Sequence, residues 1–230
     1  MENAMQNSAT IGAVISLLAY GLGTLMKKKW KLGIFNPLLI AIFIVIAFLL
    51  TFNISYDTYN SSAHYLSYLL TPATVSLAIP LHKQMNILKK NAAAILISLV
   101  AGVLISLTSV LLLSILFHLP HSMYVTLLPK SITTAIGMGV SEELGGSGTI
   151  SAAVIIVTGV IGNMILEPFC RIFHIKNRIS IGLAAGASSH AIGTAKAMEL
   201  GEVEGAMSSL AIVVSGLLTV CFVSFFAALY

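Results

Sequence analysis

The sequence predicts an all-α polytopic membrane protein of about six transmembrane helices plus two re-entrant or broken-helix hairpins, an arrangement like that of inverted-repeat transporters. Three observations carry this expectation. Hydrophobic residues make up 57% of the chain and charged residues only 9%, too few charges for a soluble domain to cover itself. Apolar stretches of spanning length recur from one end to the other. Two segments rich in Gly, Ser and Thr interrupt them.

A spanning helix needs roughly 20 apolar residues, so 230 residues suit one transmembrane domain over 1–230. The stretches that read as crossings are 8–26, 33–51, 62–81, 92–117, 149–169 and 205–229. In hydrocarbon only a helix satisfies its own backbone polar groups, so each should be helical. The first is followed by Lys27, Lys28, Lys29 and Lys31, the reverse of a signal peptide's basic-then-apolar order, and reads as a retained span. The third contains Pro72 and Pro80 beside Thr71, Thr74 and Ser76. Each proline frees a carbonyl and makes polar backbone available at membrane depth, or simply kinks the helix.

The basic residues set the expected topology. Lys27 to Lys31, then Lys83, Lys89 and Lys90, then Arg171, Lys176 and Arg178 follow the first, third and fifth stretches and hold ten of the twelve Lys and Arg residues. By the positive-inside rule these loops are cytoplasmic and the amino terminus is outside. The segment 123–147 must then leave and return on the outer face, and 180–202 must enter from the inner face. Broken helices that cross are the alternative reading.

The chemistry-bearing residues fall in these interruptions. LPKSITTAIGMGVSEELGGSG over 128–148 places Lys130, Ser131, Thr133 and Thr134 near Gly137 and Gly139. Glycine suits a hairpin tip, and half-helix amides with neighbouring hydroxyls can hold a carboxylate. GASSHAIGTAKAMELGEVEG over 186–205 offers Ser188, Ser189, His190, Thr194 and Lys196, with Gly182 and Gly186 forming a GxxxG pair for close packing. Glu199, Glu202 and Glu204 read as its watery end. Glu167, beside Pro168, either pairs with a cation at depth, Lys130, Lys196 or Arg171, or is an interfacial charge with Arg171 four residues on. With Thr74, these hydroxyls and cations form the candidate substrate-binding set.

Other classes find no support in the sequence. The net charge of +4 lies in short runs beside apolar segments, which suits a membrane surface and gives no nucleic-acid face. Cys170 and Cys221 lack zinc or disulfide spacing. No GxSxG, HExxH or P-loop spacing is present, so neither an enzyme nor a cofactor is expected. Ser189 and His190 are sequence neighbours whose side chains would diverge on a helix, which does not suit a protease pair.

PATVSLAIPLHKQ over 72–84, LLPKSITTAI over 127–136, LGG over 144–146 and GASSHAIGTAKAMELGEVEGA over 186–206, with Tyr20 and NPLL over 36–39, resemble the LrgB family of antiholin-like membrane proteins. The resemblance covers nearly the whole chain. It implies a multi-pass protein of the bacterial cytoplasmic membrane, made beside a smaller LrgA- or CidA-type partner, with self-association also compatible. The family is described both as a modulator of murein hydrolase activity and lysis, and as a carrier of small carboxylates such as pyruvate, glycolate and glycerate. Transport of a small anionic solute, proton- or ion-coupled, is the expectation that best accounts for broken polar segments. An antiholin-like regulator is the alternative. The chain departs from the family pattern at Ala135, where proline is common, and at Glu167, where a small residue is usual.

Overall fold

The computed structural model describes residues 10–30 and 36–230, and these are helical with no strand among them. Lys31 lies outside the described residues. The chain divides into two compact units, Met1–Ser76 and Leu77–Tyr230.

In the first unit, α1 (Ile11–Trp30) packs on α2 (Pro37–Thr51) and α3 (Tyr56–Ala63), followed by a 3-10 segment (His64–Leu69) and α4 (Leu70–Ser76). Asn36 caps α2 by accepting from the Leu38 and Leu39 amides, with Pro37 at the first helical position where its missing N–H costs nothing. Gly23 lets α1 approach the Pro37 backbone, and a Cβ there would sit 2.6 Å from the Pro37 carbonyl. Further along, Ser16 meets the Tyr59 hydroxyl at 2.6 Å and the Gly12 amide donates to Ser62 at 2.9 Å.

The expected crossing over 62–81 is not one helix. It comprises the 3-10 segment, α4 and, in the second unit, α5 (Ala78–Lys83). Pro72 and Pro80 are each the third residue of a short helix. Proline is tolerated in a first turn but removes a hydrogen bond from a helix interior, so the two prolines start new helices where apolar content alone predicted a continuous one.

The second unit has three long helices, α6 (Met85–Leu116), α9 (Gly148–Ile172) and α11 (Glu202–Ala227). With α1, they are the described helices long and apolar enough to cross a membrane. At 1.5 Å per residue the three run about 37–48 Å, more than the ~30 Å hydrocarbon layer. Ile95 and Leu99 pack with Met207 and Ala211, while Val103, Leu107 and Val110 pack with Val223 and Phe226, so α6 and α11 are parallel. Tyr124 donates to the Phe226 carbonyl at 2.7 Å and Tyr230 to the Leu119 carbonyl at 2.8 Å, tying their C-terminal ends.

Three helices stop in the same way. Phe52-Asn53-Ile54, Phe117-His118-Leu119 and Phe173-His174-Ile175 put the middle residue at φ 51°, 50° and 53°. The amide of the third residue then bonds back to the carbonyl of Leu49, Ser114 or Cys170. This left-handed cap satisfies carbonyls that a helix end leaves open.

Both interrupted segments are hairpins. The first comprises α7 (His121–Leu127), a tip over 128–133 and α8 (Thr134–Glu143). Pro129's carbonyl lies 3.4 Å from a Cβ built on Gly137, and Ser147's amide donates to Thr126 at 2.8 Å, so its arms fold back on each other and its base meets the start of α9. The second is α10 (Arg178–Leu200), whose helical course breaks at His190, φ 42° and ψ −133°. Ala185's carbonyl lies against Gly193, eight residues on, which only a reversal permits. On α11, Gly182 and Gly186 face Glu204 and Ser208 respectively, whereas Met198 faces Gly205 and Thr194 bonds Ser208. The first arm therefore runs parallel to α11 and the second antiparallel.

The hairpins enter from opposite ends. The first has its base where α6 and α11 finish. The second has its base beside their starts, where Leu88, Ile179 and Val203 join one cluster and Arg178 meets Glu204 at 3.6 Å. Lys83, Lys89, Lys90, Arg171, Lys176 and Arg178 mark that second end, while the first end carries His118, His121, Glu142 and Glu143 and no Lys or Arg.

A Cβ at Gly186 would drive into the Ser208 carbonyl and approach Ala211 to 2.8 Å. Overpacking of this kind costs about 1–3 kcal/mol or more. Gly186→Val is therefore expected to lower the thermal midpoint of the detergent-solubilised protein, whereas Gly102→Ala, with open space around its Cβ position, should leave it near wild type.

Candidate functional site: a cavity between the hairpin tips

The second hairpin's tip is seated on α9. His190 places Nε2 3.0 Å from the Ile155 carbonyl. A carbonyl only accepts, so Nε2 carries the proton. Gly159 makes room for the ring, since a Cβ there would lie 2.7 Å from it, and Gly162 likewise admits Ser189. Asn163 donates to the Ile192 carbonyl at 2.9 Å. Thr194 donates to the His190 carbonyl at 3.0 Å and pairs with the Ser208 hydroxyl at 2.7 Å.

The first hairpin's tip lies against α6. Lys130 Nζ donates to Ser106 at 3.1 Å and to Ser131 at 2.9 Å. None of the carboxylates of the described residues forms an ion pair with it. An ammonium has three donors, so one remains for another acceptor.

Between the tips lies a cavity of about 620 Å³ within the second unit. Lys130 and Ser131 line it from the first hairpin, and Ser188 and Ser189 from the second. Ser106 and Ser109 reach it from α6, and Thr158, Ile161, Ile165, Leu166 and Phe169 from α9. Gly102 and Gly162 widen it.

The structure thus brings four of the sequence-selected residues to one cavity and places the others elsewhere. Thr133 and Thr134 stand at the start of α8 and do not line it. His190 and Thr194 are buried in the packing that holds the tip. Lys196 is occupied by an ion pair with Glu167 and by Glu199 at 3.3 Å, so Glu167 links α9 to the second arm through Lys196. Glu204, expected at a watery end, is only 5% exposed, because the first turn of α11 packs under Gly182 and Arg178. Thr74 belongs to the other unit, and its side chain lies outside what the structure describes. Sequence reasoning missed Ser106, Ser109, Thr158 and the Gly159–Gly162 spacing. Hydroxyls within apolar helices ordinarily bond their own backbone, as Ser109 does to the Ser106 carbonyl at 2.7 Å, so only the glycine spacing offered a signal.

The chain matches the LrgB-like family over residues 16–229. It is 42% identical to the antiholin-like protein LrgB of Bacillus subtilis (strain 168) over 230 residues, 100% of this chain and 99% of the relative. It is 38% identical over 216 residues to the antiholin-like proteins LrgB of Bacillus mycoides (strain KBAB4) and Bacillus cereus (strain B4264), covering 94% of each chain. No solved structure matches it.

Removing the His190 ring deletes a buried hydrogen bond and its packing, a loss of about 1–3 kcal/mol. His190→Ala should lower the thermal midpoint. His190→Asn, which keeps a donor and tolerates positive φ, should restore part of it; equal destabilisation by both variants would count against the hydrogen bond as the anchor.

Proposed function

Given that the chain belongs to the LrgB-like family, we propose that it serves the antiholin-like role carried in its relatives' names, and that the activity beneath that role is passage of a small carboxylate. The single observation that carries the second half is Lys130, a cation with a spare donor on a cavity between hairpins entering from opposite ends. A pure helix-packing role gives no reason to keep an ammonium and six hydroxyls on one cavity inside an apolar bundle, where such groups are expensive. The second arm of each hairpin also begins at its tip, so two half-helix amide ends add positive potential at that depth.

The first half, an antiholin-like role, is supported more directly by the relatives' names; control of lysis together with a smaller LrgA- or CidA-type membrane partner is what membership of the family implies. On this reading the location is the cytoplasmic membrane, with the amino terminus and the base of the first hairpin outside. The charge asymmetry between the ends of the second unit supports the outward placement of the first hairpin's base.

Proteoliposomes holding the purified chain should take up labelled pyruvate or glycolate saturably. Losing one charge-assisted hydrogen bond costs about 1.5–3 kcal/mol, so Lys130→Gln should reduce uptake roughly 10- to 150-fold without changing the thermal midpoint much. Wild-type uptake no greater than that of empty liposomes defeats transport by the chain alone. In cells, Lys130→Gln should lose control of lysis if flux underlies it; retained control would favour a purely regulatory contact with the partner.

Orientation is tested separately. In a background with Cys170 and Cys221 replaced by serine, Ser122→Cys should react with an impermeant maleimide on intact cells, and Lys176→Cys only after permeabilisation.

A further inference from the structure

We propose that the cavity takes a monocarboxylate with an aliphatic tail of about four to eight carbons, its carboxylate on Lys130 and its tail along α9. The inference rests on the reading of this cavity as a carboxylate site and specifies the ligand class.

The anchoring end can hold one anionic group. Lys130 is the cation on the cavity wall, and its remaining donor defines one position. Three of the other hydroxyls are engaged: Ser188 donates to the Ala184 carbonyl at 2.7 Å and meets Ser189 at 2.9 Å, while Ser109 bonds the Ser106 carbonyl. A second carboxylate on the ligand would find no cation there, which excludes dicarboxylates.

Away from Lys130 the lining changes character. The first hairpin's tip is level with Ile155, which meets Gly137, so Lys130 lies near the Thr158 end of the α9 wall. From there the lining proceeds through Ile161 and Ile165 to Leu166 and Phe169. Eleven residues at 1.5 Å make this wall about 16 Å long. A three-carbon acid has six heavy atoms, and at about 30 Å³ each, the share of a liquid water, it displaces under ~200 Å³. That is a third of the cavity volume of about 620 Å³. The remainder is bounded by Leu166, which is buried, and by Ile161, Ile165 and Phe169, each about half exposed, so the tail lies in a groove open along one side of α9, against surfaces that give a polar solute nothing to bond.

The test is binding of labelled hexanoate to the purified full-length chain, with competition by straight-chain acids from acetate to octanoate and by matched alcohols. Saturable hexanoate binding is expected, lost in Lys130→Gln. Competitor strength should rise about fourfold per methylene between three and about six carbons, alcohols should not compete, and Ile165→Ser should flatten the dependence on length. Competition strongest for acetate or propionate, or independent of length, overturns the inference. So does the absence of saturable hexanoate binding in a preparation that still takes up labelled pyruvate, which leaves carboxylate transport standing. Loss of both removes the two together.

Discussion

A helix that reverses halfway through an apolar layer leaves carbonyl and amide groups without intrahelical partners, and in hydrocarbon each costs several kcal/mol. The second unit contains two such reversals, and its architecture follows from how they are satisfied. In the first hairpin the tip largely satisfies itself through successive turns, with the Lys130 amide on the Leu127 carbonyl and the Ile132 amide on the Pro129 carbonyl. In the second, the hairpin's own Thr194 donates to the His190 carbonyl and is held by the Ser208 hydroxyl of α11, while Asn163 of α9 donates to the carbonyl of Ile192. The positive φ of His190, unfavourable by itself, is held because its ring is bonded to α9.

Close backbone approach makes that support available. Gly159 and Gly162 on α9, and Gly182 and Gly186 on the first arm, occupy places where a side chain would meet a neighbouring atom at less than ordinary contact distance. Small residues permit such packing where no hydrophobic driving force separates helix from lipid. The tip can therefore reach mid-length on α9, which sets Ser188 and Ser189 opposite Lys130 and Ser131. Both tips reach the level of Ile155, and the cavity lies beside them, bounded by α6, α9 and the first arm of the second hairpin.

The hairpins themselves were legible because each signal was local and strong: glycine and hydroxyl enrichment within 123–147 and 180–202, combined with basic loops that fixed where the flanking helices had to end. The GxxxG pair at Gly182 and Gly186 was legible for the same reason. Other features were not. Apolar composition merged 62–81 into one span, although Pro72 and Pro80 divide it, because hydropathy counts side chains and ignores the missing amide. The site residues were over-selected, since a polar side chain in a hairpin serves the fold as readily as a ligand. Thr194 and His190 do the former and Lys130 lines the cavity.

Composition and the placement of Lys and Arg determined by themselves that this chain is an all-α membrane protein with polar interruptions, because burial in lipid constrains every residue of a spanning segment alike. Which polar groups share one space was decided only by tertiary structure. Lys196 and Lys130 are both lysines beside small and hydroxyl residues, and locally only Glu199, three residues after Lys196, distinguishes them. One is paired across a helix interface with Glu167, the other meets two serines and keeps a donor open on the cavity. That difference depends on contacts between residues distant in sequence, which no local pattern records.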